Sequence, residues 1–209
     1  MPNYSLAIFD FDGTLADSFP WFIASLDQTS EHFGLNRVQP DEIESLRELS
    51  SREALNHLRV PMLKLPAISV YMRNLFAEGI HDIPLFPGAS ETLFALHEAG
   101  VKLALVSSNT ENNVRHVLGP AADIVDHYAC GSSLWGKAEK FKSVLRTLRQ
   151  SPARTIGIGD EIRDIDAARK AGLSAGSITF GYNSRKALAA AHPDFLFDDY
   201  DAVKRAVLD

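Results

Sequence analysis

Leu6-Ala7-Ile8-Phe9-Asp10-Phe11-Asp12-Gly13-Thr14-Leu15-Ala16-Asp17 is the stretch on which the reading of this 209-residue chain turns. An apolar run of strand length delivers two carboxylates two residues apart and then stops at a glycine. Side chains alternate between faces along a strand, so Asp10 and Asp12 leave its end aimed into a common space. Two acids held together out of water are costly unless a cation or a shared proton compensates. Taken alone the stretch also fits an ordinary turn, since Asp-Gly is a common turn signal.

Two further apolar runs end in the same way. Leu103 to Val106 leads into Ser107, and Thr155-Ile156-Gly157-Ile158-Gly159 leads into Asp160. Runs of this length suit strands buried on both faces, as in a parallel sheet. Helical stretches separate them: Ser90 to Ala99 closed by Gly100, Ala138 to Gln150 stopped before Pro152, and Glu161 to Ala171 closed by Gly172. Ser177 to Phe180, a helix over Ser184 to Ala191, Phe195 to Phe197 and a last helix continue the pattern. This alternation predicts an α/β fold, a doubly wound, Rossmann-like parallel sheet. Ligands of such sheets bind beyond the carboxyl ends of the strands. Asp10, Ser107 and Asp160 all emerge there.

The alternation breaks over 16–83, where the periodicity is helical throughout: Phe22, Ile23 and Leu26, then Ile43, Leu46 and Leu49, then Ile68, Tyr71, Met72 and Leu75. Ile83-Pro84-Leu85-Phe86-Pro87-Gly88 returns the chain to the sheet. The organisation expected is an α/β core of 1–15 and 84–209 with a small all-helical cap over 16–83, placed to exclude water and to move as a lid.

Composition narrows the function classes. The formal net charge of −6 disfavours a nucleic-acid partner, and no apolar run approaches the roughly 20 residues that span a bilayer. Cys130 is the single cysteine, which excludes an intrachain disulfide and a multi-cysteine metal site. No secretory signal is recognisable at the N-terminus, so the expected location is cytoplasmic, with a monomer as the default state.

At Asp10-Phe11-Asp12-Gly13-Thr14-Leu15 the chain resembles the first motif of the haloacid dehalogenase superfamily. Val106-Ser107-Ser108-Asn109 resembles the second motif, Lys137 in Trp135-Gly136-Lys137 the third, and Gly159-Asp160-Glu161-Ile162-Arg163-Asp164 the fourth. The likeness covers essentially the whole chain, and its overall layout is similar to the phosphoglycolate-phosphatase-like members. It implies a Mg²⁺-dependent phosphatase that hydrolyses a small phosphate monoester through an aspartyl-phosphate intermediate. Asp10 is then the nucleophile, and Asp12 the acid that protonates the leaving oxygen and later the base that activates water. Lys137 supplies positive charge to phosphoryl oxygens and to Asp10. Ser107, with backbone N–H groups around Ser108, binds the phosphate. Asp10, the Asp12 carbonyl and Asp160 hold Mg²⁺. Asp164, one turn beyond Asp160, reaches a metal-bound water or Lys137, and Thr14 supports the turn. The same motifs serve a phosphomutase, the alternative enzyme, and an inactive binding scaffold is the reading outside catalysis.

Other residues are read structurally. The seven histidines show no ligand-like spacing, Cys130 lacks an activating partner, and Ser50 with Glu53 fits a capping box. Ser107 could alternatively be an N-cap. Glu161 is expected to face away from the site, favouring its helix N-terminus. Trp21, Phe22 and Phe33 read as the interior of the helical segment, with Arg47 or Arg52 facing substrate from it as an alternative to a purely structural role.

Overall fold

The computed structural model describes residues 2–131 and 136–209, so Trp135 of the third motif lies outside the described residues. Among the described residues, six parallel strands form one sheet in the order β3-β2-β1-β4-β5-β6. They are β1 (Leu6–Phe9), β2 (Lys102–Leu105), β3 (His127–Tyr128), β4 (Thr155–Gly159), β5 (Ser174–Ile178) and β6 (Phe195–Phe197). Strand β1 lies mid-sheet, with Ile8 opposite Ala104 on one side and Gly157 on the other. Because side chains alternate, Leu6 and Ile8 enter the core on one face while Ala7 and Phe9 enter it on the other.

Helices cover both faces. The Ala7 and Phe9 side carries α5 (Ala89–Glu98), α6 (Glu111–Leu118) and α10 (Tyr200–Leu208), through Leu93, Val114 and Val203. The Leu6 and Ile8 side carries α7 (Lys137–Leu148), α8 (Ile162–Ala171) and α9 (Arg185–Ala190), through Phe141, Ile165 and Leu188. This is the doubly wound α/β arrangement that alternating buried strands and amphipathic helices require.

Two strands depart from the sequence reading. Strand β5 begins at Ser174 rather than Ser177: Ser-Ala-Gly-Ser has little strand propensity, but pairing with β4 and β6 on its two sides holds it extended. Gly176 leaves room there for the Phe197 ring, which a Cβ would meet at 2.5 Å. Strand β3 went unforeseen because two residues at a sheet edge carry no apolar run.

Between β1 and α5 run α1 (Phe19–Phe33), α2 (Ile43–Leu46), α3 (Ser51–His57) and α4 (Leu65–Glu78). The chain enters and leaves this helical segment through two paired connections. Asp17 N donates to Pro84 O at 2.9 Å and Phe86 N to Leu15 O at 2.9 Å, with Ala16 bridged antiparallel to Leu85. The capping box at the start of α3 forms as expected, Ser50 accepting from Glu53 N and Glu53 from Ser50 N. No helix among the described residues is long and apolar enough to cross a membrane.

Leu103 is fully buried in the sheet, whereas Leu63 is 96% exposed. Leu103→Ala is expected to lower the unfolding free energy by about 2–5 kcal/mol, and Leu63→Ala to leave it within about 0.5 kcal/mol, in equilibrium urea titrations.

Candidate active site

The carboxyl ends of β1, β2 and β4 place Asp10, Ser107 and Asp160 together, and the turn after β1 brings Asp12 above them. That turn closes on one acceptor: the N–H groups of Leu15 and Ala16 both donate to Phe11 O, at 2.9 and 3.0 Å. Gly13 sits at its crest with φ +72°, and a Cβ there would lie 2.2 Å from Asp160 Oδ2. Only glycine suits this position, on both backbone conformation and space.

Lys137, first residue of α7, is 8% exposed. Its Nζ lies 2.6 Å from Asp10 Oδ2 and 2.6 Å from Asp164 Oδ1, so one ammonium bridges two buried carboxylates. Asp164 Oδ2 accepts the N–H groups of Asp160 at 3.2 Å and Glu161 at 3.0 Å. Of the two partners expected for Asp164, the structure places it on Lys137. Gly159 makes that approach possible, since its Cβ would fall 2.2 Å from Asp164 Oδ2.

Asp160 is fully buried. Its Oδ1 accepts from Thr14 Oγ1 at 2.6 Å and its Oδ2 from Tyr182 N at 2.8 Å. Thr14 therefore acts across the site rather than on its own turn, and its carbonyl in turn accepts from Tyr200 Oη. Asp12 accepts from Asn109 Nδ2 at 3.4 Å, and Asn109 is itself held by Asn113 Nδ2 at 2.8 Å. Asn109 N donates to Ser107 Oγ at 2.9 Å. The N-cap of α6 is Thr110, not Ser107, because the helix begins three residues later than the serine pair suggests.

Electrostatics follow from this burial. Burial, with Glu161, Asp164 and Asp10 beside it, pushes Asp160 well above the usual carboxylate range. Burial and the Asp10 charge push Asp12 up to about 7. Burial also raises Asp10 despite Lys137, with Asp164 adding to the rise. Asp164 goes the other way: burial opposes its charge, but Lys137, Arg163 and its hydrogen bonds outweigh that and hold it low. Burial would discharge Lys137, yet Asp10 and Asp164 keep it charged.

Carboxylate oxygens of Asp10, Asp160 and Asp164 lie within 4.8 Å of one another, the acidic triad among the described residues that could hold a metal ion. The donors are hard oxygens throughout, and a divalent cation would offset the burial and the mutual repulsion that lift Asp10 and Asp160. Asp164 is the least free of the three, since both its oxygens already accept from Lys137 and the backbone.

Above these residues lies a cavity of about 350 Å³ between the helical segment and the sheet edge, floored by Asp12, Ser108, Asn109 and Arg163. Several sequence expectations change here. Glu161 does not face away: it is the N-cap of α8, lines the cavity, accepts from Ser51 Oγ at 2.5 Å and pairs with Arg163 at 2.5 Å. Arg47 lines the cavity, but its guanidinium donates to the carbonyls of Tyr182 and Gly181 at 3.0 and 2.9 Å and stacks on Phe19. Arg52 is exposed and away from it. Trp21 and Phe22 line the space, while Phe33 packs against His32 and Tyr71. Cys130 is an unreactive thiol, pushed up to about 12 chiefly by burial.

Sequence reasoning assigned no role to Asn109, Arg163 or Tyr182. Asn109 and Arg163 sit inside motifs already quoted. Tyr182 and Asn183, in the loop after β5, carried no signal beyond a polar run following glycine. Asn183 Nδ2 donates to the carbonyls of Arg47 and Leu49, at 2.8 Å each, splicing that loop to the end of α2.

The family model described as haloacid dehalogenase-like hydrolase matches residues 7–178. A phosphoglycolate phosphatase of Synechococcus elongatus is 29% identical over 202 residues, covering 96% of this chain and 95% of that protein. One from Agrobacterium fabrum is 30% identical over 221 residues, covering 100% and 94%. A solved haloacid dehalogenase-like family protein of Streptococcus pneumoniae superposes with a TM-score of 0.78 at 21% identity, covering 96% of this chain and 97% of that one.

Lys137→Met strands two buried carboxylates. It is expected to cost about 3–5 kcal/mol of stability in urea unfolding, and Lys137→Arg to recover only part, because a planar fork does not replace a compact ammonium.

Proposed function

The chain belongs to the haloacid dehalogenase-like hydrolase family, and on that premise we propose that this phosphatase is Mg²⁺-dependent and hydrolyses a small phosphate monoester through phosphorylation of Asp10. The observation that carries the reading is the contact of Lys137 Nζ with Asp10 at 2.6 Å, on the sheet edge that also holds Ser107, Asp160 and, on the turn above, Asp12.

An Asp10 carboxylate oxygen attacks phosphorus, forming an acyl phosphate as the bond to the leaving oxygen breaks. Asp12 gives its proton to that oxygen, so the departing group leaves as an alcohol. The Asn109 amide holds the Asp12 carboxyl in place for this transfer. In the second half, Asp12 takes a proton from water, whose oxygen attacks phosphorus and releases Asp10 and inorganic phosphate. Lys137 steadies the negative charge on the Asp10 carboxylate and the phosphoryl oxygens throughout, with Asp164 fixing the ammonium. Ser107 and the backbone around Ser108 receive the remaining phosphoryl oxygens. Asp10, the Asp12 carbonyl and Asp160 would hold Mg²⁺, which when bound screens the carboxylate from the phosphate dianion and polarises the phosphoryl group. Residues 16–83 serve as a cap over the 1–15 and 84–209 core, keeping bulk water from the acyl phosphate.

With p-nitrophenyl phosphate and Mg²⁺, wild-type protein should release phosphate, and EDTA should stop it. Asp10→Asn should reduce turnover to background; turnover that survives this change, or that EDTA leaves unaltered, removes the reading. Asp12→Asn isolates the second half. Nitrophenolate leaves without a proton, so a burst should precede a steady rate slowed by about 10²–10⁴, with phosphorylated protein detected by mass spectrometry after acid quench.

A further inference from the structure

Many apolar residues of the helical segment line the cavity, although Trp21 packs on Phe76 and Phe33 on Tyr71. Across α1–α4 only Leu65 and Phe76 are buried hydrophobic side chains. Helix α1 turns its hydroxyl face inward: Ser25, Thr29 and Ser30 are its buried residues, with Thr29 Oγ1 on Met72 Sδ at 3.0 Å. Its apolar face, Phe22, Ile23 and Leu26, lines the cavity instead. Ile43 and Leu46 of α2, Leu55 of α3 and Ile68 of α4 complete walls that are half-buried and apolar. Helices normally bury such faces against each other. Here the space they enclose is about 350 Å³, roughly the volume of a dozen waters, and it opens directly onto Asp12, Ser108 and Asn109.

Each cation at the cavity wall has a protein partner. Arg47 donates to the Gly181 and Tyr182 carbonyls, Arg163 pairs with Glu161, and Arg73 Nη1 donates to Ser108 O at 3.3 Å. A substrate bearing a carboxylate or a second phosphate would bring a further charge against walls that are largely apolar, which is costly. An apolar group brings none.

Resting on the phosphatase reading above, we propose that the cavity receives the organic part of the substrate, and that the preferred substrate is the phosphate monoester of a hydrophobic alcohol or phenol. The phosphate sits at Asp10 and Ser107, the ester oxygen faces Asp12, and the alkyl or aryl group extends between α1 and α4. This also sets the protein apart from a phosphomutase, whose bound sugar phosphate would present a second anion and hydroxyl groups to the same walls.

The test compares n-alkyl phosphates from ethyl to hexyl, and phosphoglycolate, on wild-type protein with Mg²⁺. Each added methylene is expected to raise kcat/KM about two- to fourfold, at least tenfold overall from ethyl to hexyl, with hexyl phosphate preferred over phosphoglycolate. Calorimetric titration with the non-hydrolysable ethyl- and hexylphosphonates should give the same order, at least about tenfold tighter for hexyl. Ile68→Asn and Leu46→Asn, checked for folding by their melting transitions, should flatten the chain-length slope. A flat series in wild-type protein, preference for phosphoglycolate, or a slope undiminished in both variants overturns the cavity assignment while leaving the phosphatase reading in place. Absence of Asp10-dependent turnover of every ester, p-nitrophenyl phosphate included, removes both.

Discussion

One ammonium group between two buried carboxylates is the constraint around which this molecule is arranged. Lys137 holds Asp10 and Asp164 at equal distances of 2.6 Å, in a place where none of the three is more than 8% exposed. Charges so far from water must be paired, because an isolated ion there is far more costly than a lost contact. Asp160 and Asp12 add further acids to the same edge, so the cluster carries more negative groups than Lys137 and Arg163 neutralise. Burial, with that excess beside it, lifts Asp10, Asp12 and Asp160 and makes the edge one that could hold a divalent cation.

The surrounding architecture exists to hold that cluster together. Three adjacent strands, β2, β1 and β4, end at the same level, and helices on both faces keep their interiors dry. Two glycines supply the space: Gly13 lets the turn pass over Asp160, and Gly159 lets Asp164 fold back beneath it. Asp164 serves α8 as well as Lys137, since its second oxygen caps the helix start. Fold stability and site geometry thus share the same atoms.

The helical segment meets the core through Phe76, which packs on Phe11, and through polar contacts. Arg47, Asn183, Ser51 and Glu161 link it to the loop after β5 and to the start of α8. The Tyr182 peptide joins both functions: its N–H fixes Asp160, and its carbonyl receives Arg47. The position of the segment is therefore coupled to the orientation of an acid in the cluster. Apolar walls above and a charged floor below divide the cavity into two chemical halves.

Much of this was legible in the chain alone. Buried strand runs ending in Asp10, Ser107 and Asp160 specify a parallel sheet and its reactive edge, because a strand's length and a helix's period are local properties of consecutive residues. Resemblance in four ordered motifs added Lys137 and Asp164. Local chemistry could not decide which partner Asp164 takes, that Thr14 and Tyr182 hold Asp160, that Glu161 turns toward the cavity, or that Phe22 and Leu26 line a space instead of filling one. Those outcomes depend on contacts between residues far apart in the chain, such as Thr14 with Asp160 and Arg47 with Tyr182. An amphipathic helix announces that it has an apolar face; only the packing of its neighbours determines whether that face meets another side chain or an open cavity.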